Sequence, residues 1–438
     1  MSQVLTATAM GDAELERRTM GKVMWRLLPL MMLMFLINQL DRVNVSFAAL
    51  TMNRDIGLDT LSYAWGAGIF FLSYFAFEIP SNLILERVGA RLWIARIMIT
   101  WGIISGATMF VTGPASFLTL RFLLGAAEAG FVPGLVLYIT WWFPPRYRAR
   151  ATAWFFFAAP LGNAVSGILS VPLLRLNGIA GLTGWQWMFL VEAIPALLMG
   201  VYVLRYMKDR PSEASWLTAP ERGWLDQHVD RRAVQHAVRD ELGAICNRRV
   251  SLLSAIYLFR AMSMYGVSLF LPLILSGAGL SNTQVGFTAT IPFLTAAIGA
   301  VIWAWSSDRS GERHWHTIAA MLVSATGLAT SAWLGASVWS LIAISIAAIG
   351  LYAQAVCFWS IPPMILGPAA AATGFAAINA IGNLGGFLGP YVVGATARGH
   401  GDFSLGLYAM AGCALLSAVL SHILMHRKWE KTAQRSPA

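Results

Sequence analysis

Two short stretches decide the reading of this chain: Glu86-Arg87-Val88-Gly89-Ala90-Arg91 and Asp308-Arg309-Ser310-Gly311-Glu312-Arg313. Both read acid-Arg-x-Gly-x-Arg, and Asp308 lies 222 residues after Glu86, about half of the 438-residue chain. Each follows the second apolar block of its half. One such hexapeptide says little, but two at equivalent positions indicate duplicated halves. In membranes, duplicated helical halves place a solute site at their interface.

Working outward, the apolar blocks predict helices over 25–49, 62–84, 93–111, 115–139, 149–173 and 186–206. After a polar stretch come 251–275, 284–306, 317–334, 338–361, 364–396 and 404–425. Runs of about 20 apolar residues match a hydrocarbon core about 30 Å thick. The expected fold is an all-α membrane protein of twelve transmembrane helices in two pseudo-symmetric six-helix halves, 1–206 and 251–438. The segment 207–250 is a linker between them, too short to bury a core of its own. Within it, Thr218-Ala-Pro-Glu221 opens like a capping box, and Trp216, Leu217, Trp224, Leu225 and Val229 form an apolar stripe. A short amphipathic helix against the membrane or the bundle is expected.

Composition agrees. Hydrophobic residues make up 57% and charged residues 12%, against about 25% charged in soluble proteins. The net charge of +10 does not point to nucleic acid, because the charges sit in short loops on alternate sides. Arg87/Arg91, Arg146/Arg148/Arg150, the 205–250 segment, Arg309/Arg313 and the tail from His426 to Arg435 are basic, whereas Thr112–Ala115 and Gly277–Asn282 are nearly neutral. The positive-inside pattern puts both termini and the linker in the cytoplasm of a bacterial inner membrane. Cys246, Cys357 and Cys413 have no metal or redox spacing, and no cofactor is expected. No apolar segment of signal-peptide type precedes the first helix.

The hexapeptides read as gates. A carboxylate (Glu86, Asp308) can bind a neighbouring helix N-terminus, while Arg87, Arg91, Arg309 and Arg313 pair across the loops. Simple membrane anchoring would explain the arginines but neither the acid nor the glycine.

Ionisable residues inside spans cost about 2.5–3.5 kcal/mol at the centre on insertion scales, so they mark function. Helix 1 carries Asn38, Gln39, Asp41, Arg42 and Asn44; helix 4 carries Arg121 and Glu128. At about 1.5 Å per residue, Arg42 falls roughly 7 Å and Arg121 roughly 9 Å beyond the midplane on the same side. Two planar guanidiniums at one level would trap a carboxylate. Glu128, two turns from Arg121, and Asp41, beside Arg42, are candidate proton carriers, since burial and a nearby cation act on them in opposite senses. Paired charges that merely fix helix packing are the bland alternative. Glu78, before Ile79-Pro80, can serve freed backbone, Glu192 can be packing glue, and Arg260 can snorkel to the surface. The second half offers Tyr265, Gln354, Trp359, Asn379 and Asn383 as polar or aromatic contacts, with interhelical bonding as the alternative for each.

These residues resemble the anion:cation symporter family of the major facilitator superfamily. The resemblance rests on Leu40-Asp-Arg-Val-Asn-Val-Ser-Phe-Ala48, Phe77-Glu-Ile-Pro-Ser-Asn82 and Arg121-Phe-Leu-Leu-Gly-Ala-Ala-Glu-Ala-Gly-Phe-Val-Pro-Gly134. It continues through Trp142-Phe-Pro-Pro-Arg-Tyr-Arg-Ala-Arg150, Trp185-Gln-Trp-Met-Phe-Leu190, the linker around Trp216 to Arg222, and Ile378-Asn-Ala-Ile-Gly-Asn-Leu-Gly-Gly-Phe387. It implies import of a small organic anion (a carboxylate, aromatic or sugar acid) by proton symport and alternating access, by a monomer. It implies Asp41 and Glu128 as protonation sites, Arg42 and Arg121 as anion contacts, and Tyr74 with Asn379 or Asn383 as substrate lining. Where the family usually reads Asn-Tyr-Gly on helix 7, this chain has Met264-Tyr265-Gly266, which leans toward a less hydroxylated acid. Proton-coupled efflux on the same fold is the alternative. A membrane-embedded enzyme is remote, since no phosphate loop or nucleophile-base pair is evident.

Overall fold

The computed structural model describes residues 2–229, 247–335, 337–366, 368–397 and 402–426. Residues 230–246, with Cys246, and the basic tail beyond His426 lie outside the described residues. The first half holds α1 (Ser2–Asp55), α2 (Thr60–Val88), α3 (Ala90–Ala107), α4 (Pro114–Glu128), α5 (Phe131–Trp142), α6 (Pro145–Leu174) and α7 (Gly184–Tyr206). After α8 (Ala219–His228), the second half holds α9 (Arg248–Gly277), α10 (Asn282–Ser310), α11 (His314–Leu334) and α12 (Val338–Phe358). It ends with α13 (Ile361–Leu366), α14 (Pro368–Asn383), α15 (Gly385–Thr396) and α16 (Ser404–His426).

Eleven stretches among the described residues are long and apolar enough to cross a membrane. The eleventh expected helix, 364–396, is instead the consecutive pair α14 and α15 with α13 before it. Glycines at 374, 382, 385, 386 and 389 weaken that stretch as a continuous helix.

The fourth span also departs from expectation. The predicted helix over 115–139 is two helices, α4 and α5, broken at Ala129 and Gly130. Gly130 has φ +84°, and a Cβ there would lie 2.3 Å from Ser81 Oγ. Broken backbone in a membrane needs partners, and the neighbouring helices supply them. Ser81 Oγ donates to Ala129 O at 2.6 Å, and Trp93 Nε1 donates to Ser81 Oγ at 2.9 Å. Arg148 donates to Phe143 O and Thr140 O, closing the far end of α5.

Within the first half α1 packs on α6 and α7, and α3 on α7; in the second, α11 packs on α12 and α16. The halves meet where α1 faces α9, α2 faces α15, and α6 faces α10. At the end of the bundle opposite the termini they are bonded directly. Arg175 Nη2 donates to Thr283 Oγ1 at 2.7 Å, and Tyr63 Oη donates to Leu269 O at 2.7 Å.

The linker helix α8 has its capping box, with Thr218 N donating to Glu221 Oε2 at 2.8 Å. Its apolar stripe lies against the first half: Trp216 stacks on Trp142 at 5.7 Å, and Leu225 is fully buried. Lys22 of α1 donates to Glu221 at 2.7 Å. Burial pulls the Glu221 carboxyl up, but the Lys22 ammonium and the Thr218 hydrogen bonds outweigh it and hold it below its usual range.

The two hexapeptides do different things. Arg313 pairs with Asp308 and also donates to Ser307 Oγ at 3.0 Å, so the second loop is clasped on itself. Glu312 Oε2 accepts from Trp315 N at 2.8 Å and His316 N at 3.2 Å, at the start of α11. In the first half the helix N-terminus is served not by Glu86 but by Asp209, which accepts from Arg91 N at 2.8 Å. Glu86 Oε1 is buried without a hydrogen-bond partner, Arg87 is exposed, and Arg309 lies over the Trp305 ring at 5.4 Å.

Candidate functional site

Arg42 is the centre of the site. It projects from the C-terminal third of α1, is buried, and donates through Nε to Glu128 Oε1 at 2.5 Å. Glu128 is the last residue of α4, so the break at Ala129 sets where its carboxylate falls. Asn38 Nδ2, one turn before Arg42, donates to the same Oε1 at 2.7 Å. The Tyr74 ring of α2 lies 5.0 Å from the guanidinium carbon, and the Tyr265 hydroxyl of α9 lies 3.5 Å from Nη1. The two halves therefore meet at this one cation.

Arg121, the second guanidinium expected at this level, lies near Arg42 with one aromatic ring against both. Its Nε donates to Gly66 O at 3.2 Å, and the Phe70 ring of α2 packs against both guanidiniums, 4.9 Å from Arg121 and 5.5 Å from Arg42. Among the described residues Arg121 has no carboxylate at ion-pair distance.

Asp41 turns away from Arg42. It accepts from Trp101 Nε1 at 2.7 Å and Ser105 Oγ at 3.1 Å on α3, and from Asn44 Nδ2 at 3.3 Å. Consecutive helix positions point about 100° apart, so one of the pair must face another neighbour. Glu192 of α7 is buried in the same half, accepting from Ser170 Oγ at 2.8 Å.

Glu78 does not serve the backbone near Pro80. It reaches across the seam, accepting from Asn379 Nδ2 at 2.6 Å and Asn383 Nδ2 at 3.1 Å. Those two amides, expected to line a substrate site, are thus committed to a carboxylate of the other half. Trp359 belongs to an aromatic stack, 5.0 Å from Phe375 and 4.9 Å from Tyr257. Arg260 does not snorkel: it is buried, donates through Nε and Nη2 to Leu351 O, and lies over the Tyr257 ring.

Sequence reading missed three residues, two of them bonded to each other across the seam. Asn163 of α6 donates to Tyr352 Oη of α12 at 2.6 Å, and Tyr257 carries Arg260. A single asparagine or tyrosine in an apolar run gives little signal. Asn163 follows Pro160 on a helix otherwise almost free of amides, which is the only hint available.

The family model described as Major Facilitator Superfamily matches residues 31–390 and again 253–437. A putative tartrate transporter of Agrobacterium vitis is 47% identical, covering 94% of this chain and 92% of that protein. A quinolone resistance transporter of Acinetobacter baumannii is 37% identical over 94% and 96% of the two chains. In fold, the chain is similar to a bacterial homolog of the human lysosomal transporter Spinster, solved inward-facing and unoccupied. That match has a TM-score of 0.72 at 18% identity and covers 95% of this chain and 99% of that one.

Proposed function

The chain belongs to the major facilitator superfamily, as a multi-pass membrane transporter of a small molecule and not an enzyme, and we propose that it imports a small organic anion together with protons by alternating access. The observation that carries the reading is the clasp of Glu128 and Asn38 on Arg42, beside Tyr74 and Tyr265. Removing the anionic partner of a buried, paired guanidinium costs several kcal/mol, about 3–5. The Glu128 carboxylate fills that role. A proton on Glu128 frees Arg42, and the substrate carboxylate replaces it. Proton and anion thus enter together, because each without the other leaves a buried charge uncompensated. Asp41 is the second proton site of the proposal, and Arg121 adds a second positive charge behind Phe70. The similarity to a protein described as a tartrate transporter supports an organic acid as cargo.

No cofactor enters; the proton gradient drives the cycle. The hexapeptides act as gates, and the protein works as a monomer in a bacterial inner membrane with both termini cytoplasmic. The relative described by quinolone resistance favours one second reading, proton-coupled efflux on the same fold.

Proteoliposomes under an inward proton gradient test both. Accumulation of labelled tartrate or another organic acid inside supports import, and extrusion favours efflux. Glu128→Gln should lose gradient-driven accumulation while retaining anion exchange at zero gradient. Wild-type accumulation in that variant overturns the proton role of Glu128.

A further inference from the structure

We propose that Arg260, with Gln354 beside it, forms a second anion subsite in the C-terminal half, so that the cargo is a small dianion held at two carboxylates. The inference deepens the function proposed above and rests on it.

Arg260 sits in the middle of α9 and is only 5% exposed. Among the described residues no carboxylate lies within ion-pair distance of it. Its partners among the described residues are one backbone carbonyl, Leu351 O at 3.2 and 3.1 Å, and the face of Tyr257 at 5.5 Å. A guanidinium has five N–H donors in a planar fork suited to a carboxylate, and this one keeps part of that fork unused. A buried charge so poorly matched is expensive unless the protein binds an anion there.

Gln354 is the independent observation. It is fully buried on α12, and neither its Oε1 nor its Nε2 has a partner. An unsatisfied buried amide costs about 1–3 kcal/mol, so two orphaned atoms on one side chain call for a ligand. Gln354 lies one turn beyond Leu351, and helical side chains lean toward the N-terminus. Its amide is therefore carried alongside the carbonyl that holds Arg260. Across the seam, Asn163 spends its Nδ2 on Tyr352 and leaves Oδ1 buried without a partner. Tyr265, on the same helix as Arg260, has its hydroxyl 3.5 Å from Arg42 Nη1. Arg260 and Tyr265 are five residues apart on α9, so about 7.5 Å of helix separates the contact with Arg42 from Arg260. One carboxylate goes to Arg42 when Glu128 is protonated and the other to Arg260. The amides of Gln354 and Asn163 take what lies between, and hydroxyl groups fit them.

The test compares a dianion with a monoanion of similar chemistry, tartrate and glycerate, by direct binding to purified protein and by uptake into proteoliposomes. Wild type should bind tartrate more tightly. Arg260→Gln should weaken tartrate binding at least tenfold and change glycerate binding less than twofold, and Arg260→Lys should recover part of the loss. Gln354→Leu should leave the melting midpoint of the empty protein unchanged or raised, yet weaken tartrate several-fold. Equal loss of both anions in Arg260→Gln, with Gln354→Leu binding tartrate as wild type, overturns the subsite and makes Arg260 structural. An unchanged tartrate-to-glycerate ratio in both variants also overturns it, while gradient-driven uptake of either anion keeps the transport reading intact. If wild type takes up and binds neither, both readings fail together.

Discussion

Glu78 on α2 and Asn379 on α14 are joined by a 2.6 Å hydrogen bond that spans the seam between the two halves. Asn383 adds a second bond to the other carboxylate oxygen at 3.1 Å. A carboxylate receiving two amide donors holds the halves more strongly than a neutral pair, by about 1 kcal/mol for each charge-assisted bond. Glu78→Gln keeps the shape and removes the charge. With both bonds affected, about 2 kcal/mol, it should shift the balance of conformations about thirtyfold away from the contact. Spin labels on exposed Arg87 and Met364, one on each half, should report an altered distance distribution. An unchanged distribution would show that the bond does not bias the rocking motion.

The break at Gly130 supports a second expectation. Gly130→Ala places a Cβ 2.3 Å from Ser81 Oγ at a residue whose φ is +84°. The left-handed backbone costs about 1–2 kcal/mol for a non-glycine residue, and the displaced Ser81 would also abandon Ala129 O. The melting midpoint in detergent should fall, and Arg42-dependent uptake should fall with it, because Glu128 sits at the break. Adding Ser81→Ala should relieve the collision but not the backbone strain. Recovery should therefore be partial; full recovery would place all of the cost in the collision.

These results show what could and could not be read in advance. The repeat of Glu86–Arg91 at Asp308–Arg313 exposed the twofold architecture because a loop motif keeps its spacing when helices drift. Arg42 and Glu128 stood out because ionised groups are rare in apolar runs. Their direct pairing was not legible, since the backbone break that sets Glu128 carries only a glycine and a nearby proline as signals. The opposite directions of Asp41 and Arg42 follow from helical rotation alone and were within reach of the sequence. Asn163, Tyr257 and Tyr352 were beyond it, because which helix faces which decides whether a lone polar side chain meets the seam. The clasp by Asp209 came from the same cause: its partner, Arg91, is 118 residues away.

Acidification separates the linker clasp from the rest. The Glu221 carboxyl is held below its ordinary range, so its contribution is fully present above the unfolded value near 4.3 and is lost as pH falls through the lower folded value. Lys22 is partly exposed, which limits the pair to about 1 kcal/mol or less. At pH 7, Glu221→Gln should lower the melting midpoint slightly and speed thiol labelling of Leu225→Cys, since Leu225 is on the fully buried face of α8. Both differences from wild type should shrink as the pH drops below about 4. A difference that persists there would mean that the capping hydrogen bond to Thr218, rather than the ion pair, holds the helix.

The two carboxylates at helix N-termini, Asp209 before α3 and Glu312 before α11, should not be interchangeable in effect. Glu312 accepts from two backbone N–H groups in the first turn of the helix it precedes, so Glu312→Gln weakens a local cap, costing about 1 kcal/mol, and leaves the relation between helices alone. Burial pulls the Glu312 carboxyl up, but its hydrogen bonds outweigh this and hold it low, so it is ionised at neutral pH. Asp209 instead comes from beyond α7 and sits over Gly89, where a Cβ would lie 2.7 Å from Oδ2. Asp209→Asn therefore loosens α7 and the start of the linker from the loop between α2 and α3, a contact between distant parts of the first half. Its effect should appear as faster hydrogen exchange at 207–217 and an altered transport rate, with Glu312→Gln changing exchange only near 312–317. If both variants alter transport alike, the two hexapeptides work as symmetric gates after all, and the borrowed carboxylate of the first half is equivalent to the native one of the second.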